Sequence, residues 1–322
     1  MHRSGLVIMC LLAVCNISET KLNPAPAKTP VILDTDIGDD IDDTWALALL
    51  LKSPELDLKL VVTDQGKTAY RARIVARLLE IAGRTDVAIG LGLPVVEGEG
   101  GQAQWIKDYE LSRYPGKVHR DGVQALVDTI MRSPQPVTLI CIGPVPNIEA
   151  ALEREPNIAR RARFVGMDGS IRWGYGGKGR PEAEYNVKTN AQACRRALSA
   201  AWNITITPLD TCGLVRLTGD RYAAVRDCKD PLVQAVIENY RIWSGKNRDK
   251  AEKESSILFD TVAVYLAISE ELLVMERLGI RVTDDGLTVI DSKGKFMNCA
   301  TAWRNLAAFR DFLVKRLTGR SL

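Results

Sequence analysis

Apolar and polar positions along the chain keep two rhythms: short, nearly continuous apolar runs that mark buried strands, and apolar residues three and four apart that mark helices. Val31-Ile-Leu33 is the first run, and Thr44 to Leu51, apolar almost throughout, predicts a buried helix. Leu58 to Thr63 predicts a second strand, and Ile74, Val75, Leu78, Leu79 and Ile81 set the buried face of a helix over 68–82. Further strands are predicted over 87–91, 137–142, 163–167 and 204–207. Helices are predicted over 123–131 and 191–201, with another opened by Asn147 as its cap. Towards the end, 231–243, 259–268 and 303–317 have helical spacing, 208–211 reads as loop and 286–296 as a hairpin.

Strand and helix alternating at intervals of roughly thirty residues argue for an α/β fold, a mostly parallel central sheet with helices on both faces. No internal repeat or low-complexity segment interrupts it, so 28–322 reads as one domain with a Rossmann-like core. The stretch Pro94 to Arg120 is glycine-rich and holds Trp105, Tyr109 and Tyr114. A connection of that length predicts a functional lid.

Composition changes little: 46% of the 322 residues are hydrophobic and 26% charged, as in an ordinary globular protein. The net charge of +3 comes with no basic block, so nucleic acid is not an expected partner. Met1 to Cys15 begins with a basic residue and continues as an apolar core too short to span a bilayer. It reads as a secretory signal, with cleavage between Cys15 and Ala27 and a proline-rich lead-in behind it, and predicts an exported protein without a transmembrane span. Lipid anchoring at Cys15 ranks below ordinary cleavage, because Val14 is larger than the small residue such sites require. Five cysteines remain after the signal, scattered and without a CxxC pair, which argues against thiolate zinc and leaves room for one disulfide.

The chemistry gathers where the first strand meets the first helix. Asp34, Asp36, Asp39, Asp40, Asp42 and Asp43 lie within ten residues, and crowded carboxylates need a compensating charge. A helix N-terminus supplies only about half a positive charge. A hard divalent cation, calcium or magnesium, is the natural complement to so many oxygen ligands. The plainer alternative is a solvated acidic loop with one capping Asp, but strand–turn–helix places these side chains where α/β folds keep their sites.

Other chemistries lose their parts. Beyond the signal the chain has one histidine, His119, which reads most simply as a loop residue without a catalytic role. There is no GxSxG elbow, no GxGxxG after a strand and no GxxxxGK[ST]. Asp34-Thr-Asp36 is similar to the DxDx[TV] signature of haloacid-dehalogenase-type phosphatases, but Gly38 takes the place of its Thr or Val. An EF-hand loop fails for want of a preceding helix.

Asp34-Thr-Asp-Ile-Gly38 with Asp42-Asp-Thr-Trp-Ala-Leu47 resembles the DxDxGxDD signature of the inosine–uridine-preferring nucleoside hydrolases. Ala183-Glu-Tyr-Asn186, Leu258-Phe-Asp-Thr-Val-Ala263 and Ile140-Cys-Ile-Gly-Pro-Val-Pro-Asn147 are similar to three further segments of that family, in order and spacing. The resemblance runs from about residue 30 to the C-terminus. It implies calcium-dependent hydrolysis of the N-glycosidic bond of ribonucleosides, the ion holding the attacking water and the ribose 2′ and 3′ hydroxyls. It implies Asp36 as calcium ligand and base, and Asp43, Asp260 and the Ile142 carbonyl as further ligands. Asp42, Glu184 and Asn186 would bind ribose. A homodimer or homotetramer is also implied.

The chain departs from that pattern in places. Asp39-Asp-Ile41 stands where the family usually has one residue, so either Asp39/Asp40 or Asp42/Asp43 could be the pair that meets the metal. Phe259 replaces a histidine that in some members protonates the leaving base, and Lys178 falls near a ribose-binding Asn position. His119, Lys178 and Tyr185 are the candidate replacement acids, and Trp105 or Trp173 could stack on a base. A divergent hydrolase of another N-riboside, and an exported nucleoside- or ribose-binding protein without turnover, are the competing readings.

Overall fold

The structure, a computed structural model, describes residues 27–94 and 96–321. The expected signal segment, with Cys15, lies outside the described residues. Ten strands form one sheet: β1 (Thr29–Thr35), β2 (Leu56–Thr63), β3 (Ala88–Leu91), β4 (Val118–His119), β5 (Val137–Cys141), β6 (Ala162–Gly166), β7 (Ile204–Ile206), β8 (Leu273–Val282), β9 (Thr288–Ile290) and β10 (Lys295–Trp303). Their order is β4-β3-β2-β1-β5-β6-β7-β10-β8-β9. Every pairing from β4 to β10 is parallel, and β8 and β9 add an antiparallel edge.

Helices α1 (Asp42–Leu51), α2 (Thr68–Ile81), α3 (Gly122–Arg132), α4 (Pro146–Arg154), α5 (Ile158–Arg161), α6 (Tyr185–Thr189) and α7 (Ala191–Ser199) lie between the parallel strands. Between β7 and β8 run α8 (Leu209–Cys212), α9 (Gly219–Arg226), α10 (Pro231–Ser244), α11 (Arg248–Ala251) and α12 (Thr261–Leu266), and α13 (Leu306–Thr318) closes the chain. Strand period two divides the core: Val31 and Leu33 of β1 join one buried cluster with residues of α1, α2, α10, α12 and α13. Ile32 joins the other, with residues of α3, α4 and α7. Burial on both faces is why these strands read as continuous apolar runs.

The expected α/β sheet is present, with instructive departures. Asn147 does not cap α4: Val145, at a φ of 56°, is its cap residue. Asn147 is instead buried, donating to Asp34 Oδ2 (2.7 Å) and accepting from the Leu93 N–H (2.7 Å). Residues 208–211 are not plain loop but lead into α8, whose Asp210 carboxylate accepts the Ile171 and Arg172 N–H groups at 2.8 Å and pins the glycine-rich loop. The late hairpin joins β8 to β9 through 283–287, while β10 pairs on the other side of β8. The five cysteines among the described residues, Cys141, Cys194, Cys212, Cys228 and Cys299, are free thiols. Among the described residues no helix is long and apolar enough to cross a membrane.

The chain leaves β1 towards β2, β3 and β4, and β5 returns to pair with β1 on its other edge. A crevice opens at the carboxyl ends of such a pair. Asp36 follows β1 and Ile142 follows β5, so topology brings them to the same place.

Candidate active site

The acidic turn is built by its backbone and by one buried cation. Gly38 has a φ of 120°, where a side chain is strained, and a Cβ there would meet Tyr70 Cε1 at 2.6 Å. Tyr70 donates to the Gly38 carbonyl at 2.9 Å. Arg71, from the same buried face of α2, is fully buried beneath the turn. Its Nη1 donates to the Asp36 and Ile37 carbonyls, its Nε to Gly66, and its Nη2 to the Gln65 carbonyl and Asp39 Oδ2. Lys67 also reaches Asp39, at 3.0 Å. Burial pushes the Asp39 carboxyl up, but Arg71 and Lys67 outweigh it and hold the group below its ordinary range.

Asp39 therefore has its own cations, and the remaining acids do not. A cavity of about 240 Å³ is lined by Asp36, Asp40, Asp42, Asp43, Glu184 and Asp260, with the Asp39 edge, Ile142, Met167, Asn186, Tyr175, Tyr185 and Phe259. Asp42, Asp43 and Asp260 bring carboxylate oxygens within 4.8 Å of one another, a group Asp36 borders without joining. Burial raises Asp36 to about 6, against the pull of Arg71 and with the added repulsion of Asp39 and Asp40. Asp42, Asp43 and Asp260 are raised well above the usual range, first by burial and then by a neighbouring carboxylate, Asp40 acting on Asp42, Asp36 on Asp43 and Asp42 on Asp260. Asp40 is raised by burial, offset by a bond from its neighbour's N–H.

Donors of this kind, all oxygen and mutually repelling, fit a hard divalent cation. Asp260 sits at the cap position of α12 yet makes no side-chain capping bond, so its carboxylate is free for the cavity. The Thr35 hydroxyl donates to Asp43 and fixes that carboxylate. Among the described residues no hydrogen bond claims the Ile142 carbonyl oxygen.

On the opposite wall Glu184 caps α6, accepting from the Asn186 (2.8 Å), Gly169 (3.0 Å) and Val187 (3.3 Å) N–H groups. Burial raises it to about 7 against those bonds. Asn186 donates to the Met167 carbonyl at 2.9 Å.

The cavity thus gathers Asp36, Asp42, Asp43, Ile142, Glu184, Asn186 and Asp260, and Asp39 and Asp40 line it too. It does not gather His119, which lies on β4 near the sheet edge, or Lys178, which is exposed on the glycine-rich loop. Trp105 is buried, with Arg77 stacked 4.3 Å over its ring, and Trp173 is not among the cavity walls. Among the described residues, none between 94 and 120 lines this cavity, so the expected lid is not seen over it. Gln102 instead packs behind the turn, donating to the Asp40 carbonyl and accepting from Thr44 and Asn239. Arg71, Tyr175 and Met167 were missed in the sequence. A lone arginine on the apolar face of α2 was the available signal for the first.

The family model described as inosine-uridine preferring nucleoside hydrolase matches residues 31–313. The non-specific ribonucleoside hydrolase RihC of Escherichia coli (strain SMS-3-5 / SECEC) is 28% identical over 311 residues, 89% of this chain and 95% of that protein. RihC of Klebsiella pneumoniae subsp. pneumoniae is 28% identical over 298 residues, 85% of this chain and 92% of that protein. Among solved structures, the plant nucleoside hydrolase PpNRh1 superposes with a TM-score of 0.78 at 20% identity, covering 91% of this chain and 100% of that one. The purine-preferring ribonucleoside hydrolase from Gardnerella vaginalis gives 0.73 at 21% identity, covering 90% of this chain and 98% of that one.

Proposed function

The chain belongs to the inosine–uridine preferring nucleoside hydrolases and is a ribosyl hydrolase; from that premise we propose that it cleaves the N-glycosidic bond of ribonucleosides with calcium as its metal. The observation that carries the reading is the clustering of Asp42, Asp43 and Asp260 beside Asp36 at the β1–β5 crevice. Asp36, Asp43, Asp260 and the Ile142 carbonyl would hold the ion. A bound calcium ion supplies a water of lowered pKa and a grip on vicinal hydroxyls.

Asp36 takes the proton of the attacking water, a role that its place in the cavity beside the Asp42, Asp43 and Asp260 cluster allows. Asp42 accepts from the ribose hydroxyls, and Glu184 and Asn186 orient the sugar from the far wall. Breaking the C1′–N bond builds positive charge on the ribose ring, and the surrounding carboxylates stabilise it. Phe259 supplies no proton to the departing ring; the tyrosines at the mouth, Tyr175 and Tyr185, are the hydroxyls within the cavity wall.

A reducing-sugar assay over a nucleoside panel tests this reading. Ribose release that chelator abolishes, calcium restores and Asp36→Ala lowers by roughly 10²- to 10⁴-fold is expected. Chelator-insensitive release counts against calcium, and tight nucleoside binding with no ribose released would favour a binding protein. Export belongs to the same proposal, and N-terminal sequencing of the secreted mature protein tests it by the cleavage point between Cys15 and Ala27.

A further inference from the structure

The wall of Glu184 and Asn186 is held from behind by the β8–β9 hairpin at the edge of the sheet. Glu184 takes one of its three donors, the Gly169 N–H at 3.0 Å, from the loop that follows β6. The next residue of that loop, Ser170, is fully buried, and one side chain grips its backbone. Thr288 of β9 accepts the Ser170 N–H at 2.8 Å and donates to the Ser170 carbonyl at 2.9 Å, so its hydroxyl is used in both senses. Gly169 makes this approach possible: its φ is 81°, and a Cβ there would lie 2.5 Å from Thr288 Oγ1. The hairpin meets the helices of the wall as well. A Cβ on Gly286, in the hairpin turn, would lie 2.6 Å from Lys188 Cα in α6. Arg195 of α7 donates to the Val282 carbonyl at 3.2 Å and to Asp284 Oδ1 at 2.6 Å.

Resting on the ribosyl-hydrolase reading above, we propose that Thr288 is a positioning residue for the sugar: its hydroxyl fixes the Gly169–Ser170 backbone, and that backbone aims the Glu184 carboxylate. Thr288 does not line the cavity and acts only through the peptide between it and Glu184. Its two bonds hold the peptide planes on both sides of Ser170, so neither can turn alone. Without the hydroxyl, a buried N–H and a buried carbonyl are left unmet, and the backbone must rotate to find them partners. That rotation carries the adjoining Gly169 N–H off Glu184, because a hydrogen bond weakens steeply as its angle departs from linear. The acids of the opposite wall come from the β1 end, α1 and the start of α12, and Thr288 donates to none of them. Loosening should therefore reach the sugar and spare the cation.

The test is a series of falling hydrogen-bond strength at nearly constant size: Thr288→Ser, Thr288→Cys and Thr288→Val. With uridine or inosine as substrate and calcium saturating, kcat/KM should fall in that order, by about twofold or less for Ser and roughly tenfold for Val, expressed mainly in KM. Calcium affinity, read by isothermal titration, should stay within about twofold of wild type throughout. Loss of folded protein lowers the apparent kcat and leaves KM alone, so a merely structural hydroxyl does not mimic the effect. The Ser and Cys variants carry the comparison should Val fail to fold. A KM unmoved along the series, or one that rises only in step with lost calcium affinity, overturns this inference alone. A wild type that releases no ribose from any riboside overturns it together with the reading it rests on.

Discussion

Replacing Arg71 by Met should unfasten the acidic turn. The guanidinium is fully buried and serves four backbone carbonyls and Asp39 with its three nitrogens. Hydrogen bonds involving a charged group are worth about 1.5–3 kcal/mol each, so five represent a large gross interaction. Water and relaxation recover most of it, and removal of one partner from a buried ionic cluster costs about 3–5 kcal/mol net. At roughly 2 °C per kcal/mol for a chain of this size, Tm should fall by about 6–10 °C. Calcium affinity should fall as well, because the carbonyls of Asp36 and Ile37 lose their anchor and the carboxylates of the turn lose their fixed placement. Arg71→Lys keeps the charge but has three donors on one atom, so it should recover only part of the loss. Differential scanning fluorimetry with and without calcium, and a calcium titration, read both effects. A Met variant that melts within 2 °C of wild type and binds calcium equally would refute the reasoning.

Ion-free stability should fall as pH rises. Asp34 and Asp36 are raised to about 6 and Glu184 to about 7, so the folded state binds more protons than the unfolded one from about pH 4 upwards. That contribution is complete below the unfolded values and lost as pH passes the folded ones. The Tm gain on adding calcium should therefore grow between pH 5 and 7.5, and a gain independent of pH would contradict it. Asp43→Asn should abolish calcium binding while Asp39→Asn, whose carboxylate serves Lys67 and Arg71, should retain it; isothermal titration separates the two. Phe259→His places a proton donor beside the leaving ring and should raise kcat on inosine by about tenfold, with a new pH limb near 6–7. An unchanged rate would place the departing ring elsewhere.

Local rhythm made the core legible: strands buried on both faces and helices with one apolar stripe leave strong periodic signals, and β1, β2, β5, α1 and α2 were found close to their ends. Elements whose burial depends on distant partners were not. β8 mixes buried, half-buried and exposed positions without clean alternation, and it forms by pairing with β10 on one side and β9 on the other. Val118–His119 is two residues long, too short for any pattern, and becomes β4 by pairing with β3. The acidic turn declared itself because like charges so close together demand an explanation. Which of its acids faces the cavity did not, since that depends on Arg71 and Lys67 taking Asp39. Asn147 misled for a related reason: a residue type that caps helices was used to hold Asp34. Tyr240 and Trp243 line a second cavity from α10, far along the chain from the turn, and no spacing rule connects them.

A crystal structure with calcium and ribose bound tests the central claim most directly. The account predicts one ion ligated by Asp36, Asp43, Asp260 and the Ile142 carbonyl, with the ribose diol on its open side and Glu184 and Asn186 on the other oxygens. An ion bound by Asp39 and Asp40, or a sugar seated away from the β1–β5 crevice, would contradict it.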